Sequence, residues 1–311
     1  MKPDKAREIP PPRRFYFYLQ SLFLKLGFWV VTGLSEAAVS SFAEMTGSLL
    51  FMRRRRREFS INNLRRAFPE KPQEEIEKIG RESMQNLVRV ILEFIRIPLI
   101  AKNPGGFIEI RGEENVRQAL RQGRGLILAV SHFGNWELAG IAASAQGMPL
   151  YAVGKTYKNP LVNETMRRLR GMTGLQTINQ KGAVRESIQL IKKNKVIAML
   201  IDEHAKKGAV WVDLFGRQAA TSALPAMLAL KYHTPVLAVF FYREKDKRSV
   251  LVFEGPFPLI ETGDYDSDIA ANTRQYMARL EKELIKRPAD WTLWMHNRWR
   301  REDQLRVKNE E

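Results

Sequence analysis

From Phe107 onward the chain is cut into short apolar runs separated by stretches of helical character. That alternation constrains its fold more than any other feature. The runs are "LILAV" from Leu126, "LYAV" from Leu150, "VIAML" from Val196, "VLAVFFY" from Val236 and "SVLVFE" from Ser249. Each is too short for a helix and lacks the polar alternation of a half-exposed strand, so each reads as a buried strand. Helical candidates lie between them at 159–172, 183–193 and 222–232, with a last one near 268–286. The pattern predicts an α/β fold, a central mainly parallel or mixed sheet flanked by helices. A hydrophobic fraction of 44% in 311 residues is enough to give such a sheet a sizeable core.

The first third is built differently. Residues 15–34, "FYFYLQSLFLKLGFWVVTGL", carry one charge, Lys25, and many aromatics. Twenty helical residues rise about 30 Å, the thickness of a hydrocarbon core. Gly27, Gly33 and Lys25 argue against a span and the aromatics for an interfacial helix, and both readings stay open here. Arg53 to Arg57 follow. Five arginines after an apolar segment suit an anionic cytoplasmic leaflet, and no nucleic-acid-binding pattern accompanies them. After "FPEKP" (Phe68 to Pro72), Ile76, Ile79, Met84, Leu87, Ile91 and Phe94 trace a helical stripe that Pro98 and Asn103-Pro104 close. The expected organisation is 1–57 as a membrane-associated apolar segment and basic run, 58–300 as the α/β domain with its leading helix, and 301–311 as a charged tail.

Lys and Arg number 51 against 34 Asp and Glu, a net charge of +17, which favours an anionic partner. Without cysteine there is no disulfide, thiolate metal site or cysteine acyl-enzyme. Four histidines, at 132, 204, 233 and 296, show no zinc-binding spacing. Neither a metal nor a cofactor is expected.

One histidine stands out. In "LILAVSHFGNWELAG" a strand ends at Ser131, and His132 opens the turn before the next helix. Such a turn lies at the carboxyl end of the sheet, where α/β folds form their ligand crevices. Gly134 lets the chain bend and Asn135 is a plausible cap. His132 and Glu137 can meet if the first is in the turn and the second in the first helical turn. A carboxylate on one imidazole nitrogen fixes the tautomer and leaves the other free as a base. A turn histidine followed by an ordinary N-terminal helix glutamate is the other reading of the same spacing. Ser131 is adjacent to the histidine and points another way, and no G-x-S-x-G elbow surrounds a serine.

"SHFGNWE" resembles the H-x4-D/E motif of the lysophospholipid acyltransferase superfamily, and most resembles the branch of the lipid A late acyltransferases, the lauroyl and myristoyl transferases. "NNLRRAFPE" from Asn62, "KTYKNPLVNETMRRLRG" from Lys155, "IDEH" from Ile201, "WVDLFGRQAATS" from Trp211 and "WTLWMHNRWR" from Trp291 resemble that family's other blocks, in order, over residues 15 to 300. The resemblance implies acyl transfer from a thioester, on acyl carrier protein or coenzyme A, to a hydroxyl of a lipid A precursor. His132 would be the general base, Glu137 its partner, and no acyl-enzyme would form. Lys155, Asn159, Arg170 and Arg185 would bind the anionic glycolipid acceptor, although Lys155 stands where the family usually has arginine. Asp202 matches an acid of a later block and would support the site floor or a basic partner; a purely structural role at the end of "VIAML" is the other reading. The implied location is the cytoplasmic side of the cell inner membrane, in contact with membrane lipids and without nucleic acid. Another lipid acceptor (a phosphatidylinositol mannoside, an aminolipid or a lysophospholipid) and a non-catalytic basic membrane-binding protein are the alternatives.

Overall fold

The computed structural model describes residues 11–102, 108–155, 157–244 and 248–299. The 301–311 tail lies outside the described residues. Nine strands and eleven α-helices are found among those described. Seven strands form one sheet in the order β1-β9-β8-β2-β5-β3-β4. They are β1 Ile108–Arg111, β2 Leu126–Val130, β3 Leu150–Gly154, β4 Gln176–Asn179, β5 Val196–Leu200, β8 Val236–Arg243 and β9 Ser249–Glu254. All neighbours are parallel except β8 and β9, so the sheet is mixed. The remaining two, β6 Ala209–Leu214 and β7 Arg217–Ser222, form a separate antiparallel hairpin.

The five apolar runs all become strands. β2 lies in the middle, and every one of its residues is buried. Alternate side chains feed two cores, as the two-residue period of a strand requires. Ile127 and Ala129 join Ile197, Met199, Ala226 and Met277 on one face. Leu126, Leu128 and Val130 join Leu138, Ile141 and Leu169 on the other. The second face is covered in part by α7 (Trp136–Ala145) and α8 (Pro160–Gly171). The first is covered by α9 (Ala183–Lys192), α10 (Leu224–Tyr232) and α11 (Tyr265–Lys286).

The leading helix is α4, Gln73–Ile95, which begins just after Pro72 as its stripe predicts. Against it packs α2, Glu36–Phe51, through Val39, Ala43, Gly47 and Phe51. A Cβ at Gly47 would fall 2.4 Å from Gln85 Cα, so glycine permits the close crossing. Before α2 runs α1, Pro11–Gly33, which exposes Phe15, Tyr16, Tyr18, Leu22, Leu26 and Trp29. Arg54 to Arg57 open α3, Arg54–Ala67, and are exposed. No helix among the described residues is long and apolar enough to cross a membrane.

Candidate active site

Strand register brings the central residues together. β2 and β5 are parallel, with Val130 opposite Leu200. The pairing continues one step further, since Ile201 N donates to Val130 O at 2.9 Å. His132 and Asp202, each two residues past its strand, therefore emerge side by side. Asp202 Oδ1 lies 2.9 Å from His132 Nδ1. Asp202 Oδ2 accepts the backbone N–H of His132 at 2.7 Å and the indole N–H of Trp291 at 2.8 Å.

The turn that presents His132 is tightly specified. Gly134 has φ +57°, and a Cβ there would sit 1.6 Å from Phe241 O, so no other residue fits. Asn135 is buried and caps α7, accepting from Leu138 N at 3.0 Å. Its Nδ2 donates to Glu93 Oε2 at 2.6 Å, and Glu93 also pairs with Arg243. Behind the turn, two 3₁₀ turns, Pro288–Asp290 and Thr292–Met295, line up against it.

Burial of His132 favours neutral imidazole. The charge and hydrogen bond of Asp202, with smaller contributions from Glu203 and Glu137, outweigh that and raise its pKa. Burial of Asp202 opposes its charge. The imidazolium and the three N–H donors outweigh this, so its pKa is lowered. The pair is thus a carboxylate that holds the Nδ1 proton of an imidazole. Nε2 is left as the basic nitrogen. The nearest acid on that side is Glu203, whose Oε1 is 3.9 Å from Nε2. The hydroxyl of Ser131 is buried without a hydrogen-bond partner, so the imidazole does not activate it.

Glu137 does not take the place expected of it. Its carboxylate forms a two-pronged pair with Arg170, at 2.9 Å to Nε and 2.6 Å to Nη2. Glu137 lies in the first turn of α7 and pairs with Arg170 of α8, whereas the parallel register delivers Asp202 to the imidazole. At His132 Nδ1 the structure therefore places Asp202, not Glu137. Arg170 is correspondingly committed. Its side chain is 12% exposed and lies over the Phe94 ring at 5.7 Å. Burial works against its charge, but Glu137 and Tyr157 outweigh burial and raise its pKa.

The other expected acceptor-binding residues separate. Lys155 follows β3 at the same edge and reaches Glu203 Oε1 at 3.3 Å, with 69% of its side chain exposed. Asn159 caps α8, accepting from Leu161 N at 3.0 Å. Both of its amide hydrogens go to α1, to Phe17 O at 3.1 Å and Gln20 Oε1 at 2.9 Å. Neither is left for an acceptor, so Asn159 ties α1 to α8 instead. Arg185 is exposed in the first turn of α9 and is not drawn into the network around His132. Trp291 and Glu203 are the site residues that motif reading passed over. The only signal for Glu203 was its position beside Asp202, and Trp291 lay in a segment whose aromatics suggest mere packing. No cluster of metal-ligating side chains occurs among the described residues.

A mixed α/β sheet with a histidine–carboxylate pair at the carboxyl end of its middle strands defines an enzyme architecture suited to removing a proton. The profile of the bacterial lipid A biosynthesis acyltransferases matches residues 5–301, and the chain belongs to that family. It is an enzyme that transfers acyl groups to a lipid acceptor. The chain is 24% identical to the phosphatidylinositol mannoside acyltransferase of Mycolicibacterium smegmatis over 74% of its length and 75% of that protein's. It is 24% identical to the lipid A biosynthesis palmitoleoyltransferase of Escherichia coli over 79% of each. With the lipid A biosynthesis lauroyltransferase of Escherichia coli it shares 27% over 81% of each.

Proposed function

We propose that the protein moves a fatty acyl chain from an acyl thioester, on acyl carrier protein or coenzyme A, to a hydroxyl of a lipid A precursor. The observation that carries this reading is the His132–Asp202 pair at the carboxyl end of β2 and β5, in a chain of this family. Nε2 takes the proton of the acceptor hydroxyl as its oxygen attacks the thioester carbonyl. The resulting imidazolium is stabilised by Asp202. The tetrahedral adduct collapses with loss of the thiolate, which takes the proton back from Nε2. No acyl-enzyme is needed. Glu137 and Arg170 act as a pair that locks α7 to α8 and shapes the crevice. Lys155, still exposed beside Glu203, is the cation placed to meet an anionic head group.

The acceptor is met at the cytoplasmic face of the inner membrane. Supporting this are the exposed aromatics of α1 and the exposed arginines that open α3, an apolar and a basic element of the kind that an interfacial anchor combines. A phosphatidylinositol mannoside is the second acceptor reading, favoured by relatives of that name at similar identity. The test is mass spectrometry of lipids after incubating the purified protein with acyl carrier protein or coenzyme A thioesters and each acceptor. A lipid A precursor heavier by one acyl chain is expected. Transfer only to the mannoside would replace the acceptor, and no transfer to either would reject the reading.

A further inference from the structure

The segment from Pro288 to Met295 bonds both to the turn that carries His132 and to Asp202. Asp290 O accepts from Gly134 N at 2.8 Å, and Trp291 forms an isolated bridge with Phe133. Thr292 N donates to His132 O at 3.1 Å, and Trp291 Nε1 donates to Asp202 Oδ2 at 2.8 Å. The segment is itself tied to α3 and α4. Asn63 donates to Trp294 O and His296 O, Ser83 to Trp291 O at 2.6 Å, and Asn86 to Asp290 O at 3.0 Å. Trp291 has no exposed surface and meets Trp294 edge-on at 4.6 Å. Its indole N–H is therefore delivered to Asp202 by a rigid frame, not by a side chain free to choose its partner.

We propose that Trp291 is a positioning residue for the His132–Asp202 pair, and that its indole N–H sets the pH window of the imidazole by sharing the charge of Asp202. The proposal rests on the reading of His132 as the base in acyl transfer. Oδ2 receives two N–H donors, the His132 amide and the indole, while Oδ1 faces Nδ1. Each donor draws negative charge away from the oxygen that meets the ring. If the indole donor is removed, the amide still holds Oδ2, so the carboxylate keeps its place. It then bears more charge against the imidazolium, which persists to higher pH, and less free base is present at a given pH. The charge of Asp202 raises the imidazole's pKa, and the Trp291 donor lowers that of Asp202.

Other charged and titratable groups face the pair and are the same in the wild type and the variant. Glu203, after β5, lies on the Nε2 side and pairs with Lys155. Glu137 acts from α7, while His296 and Arg298 act from the C-terminal segment. Arg56 of α3 acts on His296.

The experiment replaces Trp291 in the full chain with 3-benzothienylalanine, which keeps the two fused rings and puts sulfur where the N–H was. Trp291→Phe is made in parallel. Two readouts are taken. One is the titration of His132 by ¹⁵N-histidine NMR, assigned with His132→Gln. The other is kcat/KM against pH with an acyl carrier protein thioester and a lipid A precursor. The His132 midpoint is expected to rise by about half a pH unit, and the acid limb of kcat/KM to follow, cutting the rate below the midpoint about threefold. The fall in rate should be steepest on the acid limb. An unmoved or lowered midpoint in the folded benzothienyl variant overturns the proposal, and so does a loss of rate spread evenly over all pH values. A midpoint that rises without a matching change in rate upholds the link between Trp291 and the imidazole, and removes His132 as the base.

Discussion

Replacing Asp202 by asparagine changes one atom and, by the geometry of the site, reverses the imidazole. Oδ2 is the acceptor of two fixed donors, the His132 amide at 2.7 Å and the Trp291 indole at 2.8 Å. In Asp202→Asn the amide oxygen must occupy that position, because an NH2 there would face two N–H groups. The NH2 is then turned toward Nδ1, at the 2.9 Å site of Oδ1. It can only donate, so Nδ1 becomes the acceptor and the ring proton moves to Nε2. The nitrogen that should take the acceptor's proton no longer has a free lone pair. The loss of the wrong tautomer in a comparable serine–histidine–aspartate site is about 10⁴ in kcat, and a fall of roughly 10³ to 10⁴ is expected here. Folding should survive, since shape and both N–H bonds are kept. The assay is single-turnover acyl transfer at saturating acceptor, with thermal unfolding as a control. A kcat within about threefold of wild type, or an effect confined to acceptor KM, would refute the tautomer argument.

Glu137→Gln should behave differently. It leaves Arg170 buried beside a neutral amide and should cost roughly 2–4 kcal/mol of stability, read by urea unfolding, while the acid limb of kcat/KM shifts little because Asp202 keeps the ring. Asp290 gives a pH signature in stability. Burial raises its carboxyl pKa to about 6 from 3.8. A raised acid pKa favours the protonated fold, so stability falls as pH climbs from near 4 to near 6 and stays lower above. Linkage at 1.36 kcal/mol per unit gives about 3 kcal/mol, and partial solvent contact reduces this to about 1–2. Asp290→Asn should therefore be more stable than wild type by that amount at pH 7, with the two melting alike below pH 4. Changing Arg53 to Arg57 to glutamine should weaken binding to anionic vesicles, with the gap closing at high salt; sedimentation with equal binding to neutral and anionic vesicles would contradict the electrostatic part.

The strands were legible where burial was complete. "LILAV" and "VIAML" are all-apolar, as central strands covered on both faces must be. Strand β4, "QTIN", sits at the sheet edge with Gln176 and Asn179 exposed, so it shows little of that signature. Strand β1, "IEIR", lies at the other edge and is similar. The site was legible in part. The H-x4-E spacing located the turn, the glycine and the cap. It did not reveal that Glu137, in the first turn of α7, would pair with Arg170. The partner of His132 lies 70 residues further on, and only the pairing of β2 with β5 brings it near. Such a contact leaves no local trace in the chain. Trp291 is still more remote, and nothing in "WTLWMHNRW" distinguishes an indole that holds a carboxylate from one that fills a core. The basic block after β3 was legible as charge but not as commitment. Arg170 closes on Glu137, a pairing that composition cannot foretell.

The central claim is that His132, held by Asp202, takes the proton from the acceptor hydroxyl. It is tested most directly by the single-turnover rate of purified His132→Ala against wild type, with the same thioester and acceptor and the product weighed by mass spectrometry. A positioned base contributes about 10² to 10⁴, so the account predicts a rate lower by that factor, with circular dichroism and acceptor binding unchanged. A folded His132→Ala that acylates the acceptor at close to the wild-type rate would contradict it.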